Sequence, residues 1–418
     1  MRLKRLLPMA VLPLIALGSS LGADDWTQWR GLHRDGVWNE RGILEKFPAG
    51  GLKVRWRAAV GPGYSSPVVA QGRVFVTDCE LGPKEKRQAK ERVHCFDEAT
   101  GKPVWTHSYD VNYPDYAWPP YGPQGPCPTP IVDGEKLYTV GGMGDLYCFD
   151  AARGTVLWKK GLAREYRVGE FCIRGSPLIE GDLLIIPKGY GAPPGIIALE
   201  KDSGRERWTA LEEGGYNSSP LVITAGGKRQ LIVPARRSVV SLDPSTGTVH
   251  WEERFECGIP TPVYSEGRLL VNGMMFALDA EKPAAAVLWP ARKPDAVLSD
   301  TTTALLLGDL VVSHKQKDRL VGLDAKTGRQ LWEAGVKSTL HSLTACAGGV
   351  FIFTDQGELI RARISAEGYQ ELSRAPLIKP TDSDGKRLVT YAAPGYANGH
   401  VFVRNNEELV CVSLVAEP

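Results

Sequence analysis

The chain contains 418 residues, of which 43% are hydrophobic and 23% are charged, a balance typical of globular proteins. Its 50 basic and 48 acidic residues give a net charge of +2, which excludes a strong long-range attraction to nucleic acid or to an anionic membrane. The 46 glycines and 30 prolines lie between regular apolar runs and indicate many tight turns rather than disorder.

The first 22 residues have the pattern of an export signal. Three basic residues precede an apolar run at residues 6–17, and Ser20 and Gly22 supply small residues at the cleavage positions. The run is about half of the roughly 20 residues that span a bilayer, so a signal peptide at residues 1–22 is favoured over a membrane anchor. We therefore expect a periplasmic or secreted protein. Without this segment the net charge is −1.

Tryptophans recur along the chain at intervals of 38 to 53 residues, close to the roughly 40–50 residues of a four-stranded propeller blade. Each ends a strand that follows an Asp-x-x-Thr-Gly turn or a relative of it, as in residues 93–105 and 321–332. The glycine supplies the positive φ that such turns need. We expect the indole rings to pack between blades rather than to contact a ligand. They are Trp56, Trp105, Trp158, Trp208, Trp251, Trp289 and Trp332.

A second hairpin precedes each of these units. It opens with Ser or Thr before Pro, at residues 66, 129, 176, 219 and 261 and more loosely at Ala393, and it continues through a glycine turn into an apolar strand. Proline suits the start of a strand because a missing N–H donor costs little there. Four strands in each unit predict an all-β propeller.

The repeats predict eight blades. Six units end at a tryptophan between Trp105 and Trp332, and a seventh, without its tryptophan, covers residues 341–372. Residues 393–414 supply only three strands, so we expect the N-terminal strand at residues 52–58 to complete the last blade and close the ring. A seven-bladed ring is the alternative, but it would leave Trp56 without a blade.

These motifs resemble the pyrroloquinoline-quinone-like (PQQ-like) propeller repeat over residues 52–414. Residues 26–31 (Trp-Thr-Gln-Trp-Arg-Gly) and 34–36 (Arg-Asp-Gly) also resemble the segment that precedes the propeller in many secreted bacterial members. The resemblance implies an N-terminal segment at residues 23–51 and a propeller at residues 52–418, within the superfamily of BamB-like proteins and quinoprotein alcohol dehydrogenases. Function does not follow from this fold alone.

The eight cysteines fall into two groups. Cys95, Cys148 and Cys411 share a repeat position that is Ala, Ser or Gly in other blades, which predicts packed free thiols. Among the other five, Cys127 and Cys172 stand at similar places in adjacent blades and form the best predicted disulfide, which export would permit. The Cys-x-x-Cys spacing is absent, so no metal site is predicted.

Loop lengths place the functional surface on one face, over blades 1 to 3, where residues 78–92, 106–126, 159–172 and 188–195 form insertions. Convergent polar groups at a channel mouth indicate a ligand site, although each side chain alone could be solvated or locally paired. The predicted ring at this mouth is Tyr64, Cys127, Arg174, Asn217, Ile259, Thr301, His341 and Tyr391. Strand ends add Asp78, Lys188, Arg236, His314, Asp355 and Arg404.

One insertion is rich in aromatic residues and prolines. Rigid aromatic side chains are typical anchors of protein interfaces, so this loop is a candidate partner-binding segment, and a loop packed onto its own blade is the alternative. Its aromatic residues are Tyr109, Tyr113, Tyr116, Trp118 and Tyr121.

Three functions fit this sequence. We favour a non-catalytic, monomeric scaffold that binds an envelope protein or a small ligand, without a cofactor, nucleic acid or a membrane span. The first alternative is a PQQ-dependent dehydrogenase with calcium, but the adjacent cysteine pair of such enzymes is missing. The second alternative is a sugar-binding or hydrolytic propeller that uses Asp78 and Asp355. No nucleophile elbow, zinc motif or phosphate loop is present, and no catalytic residue is predicted.

Overall fold

The computed structural model describes residues 25–83, 86–115, 118, 125–166, 172–189, 193–290, 298–299, 301–315 and 318–416. Eight sheets follow one another around a central channel: seven have four antiparallel strands, and a short N-terminal strand adds a parallel fifth strand to the sheet of blade 7. Close contacts join the first strands of neighbouring sheets at five of the eight junctions. The predicted eight-bladed propeller is confirmed. The predicted signal peptide lies outside the described residues. Within them, no helix has the length and hydrophobicity that a bilayer span requires.

The strands run from the channel outward in chain order within most blades. Two strands precede the first complete blade: β1 (Val37–Trp38) and β2 (Val54–Ala59). Blades 1 and 2 contain β3 (Val68–Ala70), β4 (Arg73–Leu81), β5 (Gln88–Asp97), β6 (Pro103–Asn112), β7 (Ile131–Asp133), β8 (Lys136–Val140), β9 (Asp145–Asp150) and β10 (Val156–Gly161). After the short helix α1 (Leu162–Glu165), blades 3 and 4 contain β11 (Leu178–Glu180), β12 (Leu183–Pro187), β13 (Ile196–Glu200), β14 (Glu206–Ala210), β15 (Leu221–Ala225), β16 (Lys228–Pro234), β17 (Ser238–Leu242) and β18 (Val249–Arg254).

The second half of the ring repeats this arrangement. Blades 5 and 6 contain β19 (Val263–Ser265), β20 (Arg268–Val271), β21 (Met274–Leu278), β22 (Ala285–Trp289), β23 (Leu305–Leu307), β24 (Leu310–Lys315), β25 (Arg319–Asp324) and β26 (Gln330–Gly335). Blade 7 contains β27 (Leu340–Cys346), β28 (Gly349–Thr354), β29 (Glu358–Ser365) and β30 (Gly368–Pro376), and the small hairpin β31 (Asp382–Ser383) and β32 (Leu388–Val389) follows it. Blade 8 contains β33 (Gly395–Ala397), β34 (His400–Arg404) and β35 (Glu408–Ser413) together with β2.

The recurring tryptophans join each blade to the next. The Trp105 ring lies against Gly154 in the turn of blade 2, where an added β-carbon would come within 2.5 Å of the ring, and its Nε1 donates to the Ala151 carbonyl at 3.0 Å. The glycine of the turn therefore serves twice, because it adopts a φ of +71° and leaves room for the indole. The same arrangement pairs Trp56 with Gly101, Trp158 with Gly204, Trp208 with Gly247 and Trp289 with Gly328.

Two tryptophans depart from this arrangement. Trp332 donates to the Ser365 carbonyl of the next blade at 2.8 Å, but the glycine of that turn, Gly368, does not contact its ring. The turn that follows Trp251 in the ring, residues 279–284, contains no glycine. Trp251 instead donates from Nε1 to Gln230 Oε1 of its own blade at 2.8 Å. A turn without glycine thus removes the space for the indole, and a buried glutamine accepts its hydrogen bond.

In six blades the residue opposite the tryptophan on the third strand is small, whereas Trp289 of blade 5 lies opposite Met275. Trp105 faces Cys95 and Trp332 faces Gly322, where an added β-carbon would lie 2.3 Å from the indole. This contact explains the shared repeat position of Cys95, Cys148 and Cys411. Ala277 is an exception, since it lies opposite Ala286.

The predicted disulfide is wrong, because all eight cysteines are free thiols. Cys172 is buried, and its Sγ lies 3.8 Å from the sulfur of Met143. Cys127 instead lines the central channel. Similar places in the repeat therefore do not bring the two sulfurs together.

The N-terminal segment closes one end of the channel. Between residues 26 and 38 it hydrogen-bonds to blades 1, 2, 3, 5, 6 and 7, and two of its tryptophan rings pack against Tyr396 of blade 8 in edge-on and tilted arrangements. The contacts are Trp26 with Val69, Thr27 with Val132, Trp29 with Thr261, Arg30 with Ala304, Arg34 with Ser176 and Pro177, and Gly36 with Ala345. We call residues 26–38 the plug.

We predict that Gly154→Ala lowers the free energy of unfolding by about 2–4 kcal/mol, through left-handed backbone strain and overlap with Trp105. Gly134→Ala is the matched control, because Gly134 has a φ of +57° and open space around it. This control should lose only about 1–2 kcal/mol. Urea unfolding followed by circular dichroism measures both. Equal losses would show that the turn needs glycine for its φ alone.

Candidate functional site: a blind polar chamber

A belt of hydroxyl groups joins the blades around the channel. At four junctions between blades, the Ser or Thr that precedes the first strand accepts a hydrogen bond from the backbone N–H of the equivalent residue in the preceding blade. The pairs are Ser66 N to Thr129 Oγ1 at 3.1 Å, Thr129 N to Ser176 Oγ at 3.0 Å, Ser176 N to Ser219 Oγ at 2.9 Å and Thr261 N to Thr303 Oγ1 at 3.0 Å. In the Ser/Thr-Pro motif, the sequence pattern explained only the proline. The recurring hydroxyl residue before that proline was the feature from which the belt could have been predicted.

The plug forms the floor of the chamber with two buried arginines. Arg30 donates to the Asp35 and Ala304 carbonyls, and Arg34 donates to the Ser176 and Pro177 carbonyls. Burial lowers the pKa of Arg30 to about 10, against the opposing effect of Asp35. Burial, and then the charge of Arg30, lower the pKa of Arg34 to about 9. Both values lie above 7, so both guanidinium groups are positively charged at neutral pH.

Above this floor the channel encloses about 970 Å³ and is open at the other end. Most plug contacts are with residues that come just after a belt residue in the sequence, whereas the predicted mouth residues come just before one. The plug and the mouth therefore lie at opposite ends of the channel. Seven of the eight predicted ring residues line this chamber: Tyr64, Cys127, Arg174, Asn217, Ile259, Thr301 and Tyr391. The side chain of the eighth, His341, is outside the description. A ligand-binding role for these residues remains a prediction.

Two tyrosines from blades 1 and 8 meet at the mouth. The rings of Tyr64 and Tyr391 are 5.2 Å apart in an edge-to-face arrangement. Burial, and then the nearby carboxylate of Asp382, raise the pKa of Tyr64 well above its usual range. The phenol therefore stays protonated at neutral pH and can donate a hydrogen bond.

The wall of the chamber near blade 7 carries an acid–base cluster. Asp355 pairs with Arg387 and accepts from Ser338 at 3.3 Å. Asp384 lies 3.5 Å from Arg387 Nε and accepts from the backbone of the same turn. Arg387 and Asp384 belong to the β31–β32 hairpin, which sequence reasoning missed because its strands are two residues long. The Asp-Gly dipeptide at residues 384–385 was the available signal.

Two predicted strand-end residues lie behind the mouth and lock blade 1 to blade 8. Asp78 accepts from Arg92 at 2.7 Å and lies 3.0 Å from His94 Nε2. Arg404 is fully buried and donates to the carbonyls of Gly61 and Thr77. Burial alone would raise the pKa of Asp78, but the hydrogen bonds from His94 and Arg92 hold it well below its usual range. We name Asp78, Arg92, His94 and Arg404 together the Asp78 cluster.

The remaining strand-end candidates also lie outside the chamber lining, except Asp355. Lys188 is buried, its Nζ donates to the Pro193 carbonyl at 2.9 Å, and burial lowers its pKa to about 8. His314 is buried and Arg236 is exposed. The expectation that these strand ends share the mouth with the ring is corrected, because the strands beyond the innermost one end farther from the channel.

The aromatic insertion is packed inward where it is described. Tyr113 and Trp118 are only 1% and 2% exposed, so they are not surface anchors. Tyr109 and Tyr113 donate to the buried carboxylate of Glu91, whose pKa is raised by burial against these hydrogen bonds. Tyr116 and Tyr121 lie outside the described residues. The packed-loop alternative therefore holds for Tyr113 and Trp118.

The described chamber lining offers polar and charged contacts rather than a metal centre. Across the described ranges, no group of three or more His, Cys, Asp or Glu side chains is placed to hold a metal ion. The belt hydroxyls, Arg174 and Asn217 occupy one side of the lining, and the Asp355–Arg387 pair occupies another. This arrangement can orient a polar ligand through several hydrogen bonds.

These features define an eight-bladed propeller of PQQ-like repeats with a blind polar chamber. The family model described as "Outer membrane protein assembly factor BamB" matches residues 89–226 and 195–371. The chain belongs to this family.

Similar proteins have the same fold. The outer membrane protein assembly factor BamB of Shewanella oneidensis is 22% identical over 371 residues, which cover 84% of this chain and 77% of that protein. The crystal structure of BamB from Moraxella catarrhalis has a TM-score of 0.60 at 16% identity and covers 88% of this chain and 99% of its own. The quinohemoprotein alcohol dehydrogenase of Comamonas testosteroni has a TM-score of 0.67 at 15% identity, and the match covers 94% of this chain and 81% of that chain.

We predict that Asp78→Asn lowers the free energy of unfolding by about 3–5 kcal/mol at pH 7, because it leaves buried cationic groups without their carboxylate. The pKa of Asp78 is lower in the folded state than its unfolded-state value of about 3.9. Its ionised form therefore stabilises the fold at pH values above about 3.9, and this stabilisation is lost as the pH falls toward the folded-state pKa. The difference between wild type and variant should therefore be constant from about pH 5 to 8 and should narrow below about pH 4.

Chemical unfolding at several pH values measures this difference. Glu80→Gln is the control, because Glu80 is exposed and lies 3.8 Å from the same Arg92. Its effect should stay below about 1 kcal/mol. A loss for Asp78→Asn that matches this control, or that grows as the pH falls, would contradict the prediction.

Proposed function

We propose that this protein is a non-catalytic binding propeller of the cell envelope that holds an envelope protein at the chamber mouth. The observation that carries the proposal is a chamber closed by its own plug and open at a rim with apolar side chains. Ile259 lines the chamber and is 41% exposed. Leu388 is 57% exposed and stands between Arg387 and Val389, which both line the chamber. Exposed apolar groups around a polar recess favour protein docking.

The relatives support an envelope partner. Both the family description and the Shewanella oneidensis protein are named as outer membrane protein assembly factors. The predicted signal peptide would deliver the chain to the same compartment. We propose that the chain acts there as a monomer and without a cofactor.

A quinone site with calcium has less support. Calcium takes six to eight oxygen ligands, but the described chamber lining has two carboxylates, and both contact Arg387. The described residues therefore do not fit such a site. The hydrolytic alternative is weakened in the same way, because Asp78 is fully buried in its cluster and Asp355 is paired.

We predict that a photoreactive benzoyl-phenylalanine at Ile259 or Leu388 forms a discrete cross-linked adduct with an envelope protein in the native host. The same group at Val104 or Val249 is the control, because these residues are 48% and 52% exposed on outer strands. Immunoblotting and mass spectrometry detect the adducts. Identical adducts from rim and outer-strand positions, or none from the rim, would overturn the proposed function.

We predict that the purified protein, supplied with PQQ and calcium, reduces no redox dye when primary alcohols are added. We expect no reaction because both carboxylates of the described lining contact Arg387, so neither is free to hold calcium or to act as a base. A quinoprotein alcohol dehydrogenase assayed alongside is the positive control. Calcium-dependent dye reduction would establish the enzymatic alternative.

A further inference from the structure

Several buried hydrogen-bond donors in the chamber wall have no acceptor among the described residues. Four polar side-chain atoms of lining residues are buried and make no hydrogen bond, and each of them carries a hydrogen. They are Trp26 Nε1, Ser66 Oγ, Arg174 Nε and Ser342 Oγ. Buried donors without acceptors are rare in folded proteins and costly. A concentration of them beneath one surface indicates a missing acceptor.

The belt adds further donors. The oxygens of Ser176, Ser219 and Thr303 each accept a hydrogen bond from a backbone N–H. A hydroxyl hydrogen rotates to suit its partner, and none of these three has an acceptor among the described residues. All three side chains line the chamber. Their O–H groups are therefore available to a ligand.

Arg174 is the cation of this wall. Its guanidinium makes no hydrogen bond or ion pair with the described residues, whereas Arg387 across the chamber is paired with Asp355. From Cys127 to Thr303 the described lining contains no carboxylate. An arginine in this setting favours an anion with two oxygens, because its planar donors match a carboxylate.

We infer that the chamber binds a carboxylate group against Arg174, with the belt hydroxyls of Ser176 and Ser219 as additional donors. The inference rests on the proposed function, since the carboxylate belongs either to a small organic acid or to an acidic side chain of the bound partner. A volume of about 970 Å³ admits either. The neutral donors around Arg174 contribute to orientation as well as to affinity.

The test is isothermal titration calorimetry of the full chain without its signal, at low ionic strength. The probes are glutarate, its neutral diamide, and the blocked peptide acetyl-Gly-Glu-Gly-amide. We expect glutarate or the peptide to bind, with at least about tenfold weaker binding in Arg174→Gln, since a charge-assisted hydrogen bond is lost. Arg174→Lys keeps the charge and should fall between the two.

Arg57→Gln is the matched control, because Arg57 is exposed and pairs with Glu408 outside the chamber. It should bind as wild type does, and thermal unfolding checks that each variant is folded. Tighter binding of the peptide assigns the site to a partner side chain, and tighter binding of glutarate assigns it to a free acid. Equal binding of the diamide, no binding, or unchanged binding in Arg174→Gln would overturn the inference.

Failure of this inference differs from failure of the proposed function. Rim adducts without carboxylate binding would overturn the carboxylate site alone. Carboxylate binding without rim adducts would overturn the protein-binding function alone.

Discussion

The pairing of β2 with β35 is the constraint on which the remaining structure depends. Trp56 lies opposite Cys411 and Ala58 opposite Leu409 in this antiparallel ladder, and no disulfide is present to reinforce it. A ring held by backbone hydrogen bonds needs further contacts at its seam. The carbonyls of Gly61 and Thr77 accept from Arg404 of blade 8 there, and Glu98 accepts from Asn398 at 2.7 Å. Ring closure thus combines a shared sheet with buried polar contacts.

Closure also determines where the N-terminal segment can lie. The plug crosses the channel first and ends at β1, which pairs in parallel with β27, the innermost strand of blade 7. The chain then passes blade 7 and reaches β2, the outermost strand of blade 8. The plug contacts seven blades and converts an open channel into a blind chamber. The same residues therefore stabilise the ring from inside and limit ligand access to one face.

The repeats made the blade count, the closing strand and most of the mouth ring predictable. Each depends on a local pattern, such as Thr-Gly before Trp, that recurs at a fixed structural position. The Asp78 cluster and the β31–β32 hairpin were missed as such, because they depend on contacts between distant segments and on one irregular link. Burial of Tyr113 and Trp118 was one of two alternatives that the sequence left open, since the acceptor for Tyr113, Glu91, lies on another strand. Periodicity identifies positions in a blade but does not identify side-chain partners across blades.

The two arginines of the plug place positive charge at the floor of the chamber, where it favours binding of an anion. Arg30 and Arg34 satisfy their donors mainly with backbone carbonyls, and a carbonyl dipole stabilises a guanidinium without neutralising it. Asp35 is the nearby carboxylate that offsets part of this charge. The positive charge that remains beneath the chamber acts in the same direction as Arg174 in its wall, because charges in a recess with low-dielectric walls are weakly screened. An anion in the chamber would therefore stabilise the plug and the ring together, since a ligand that binds only the folded state shifts the folding equilibrium toward it.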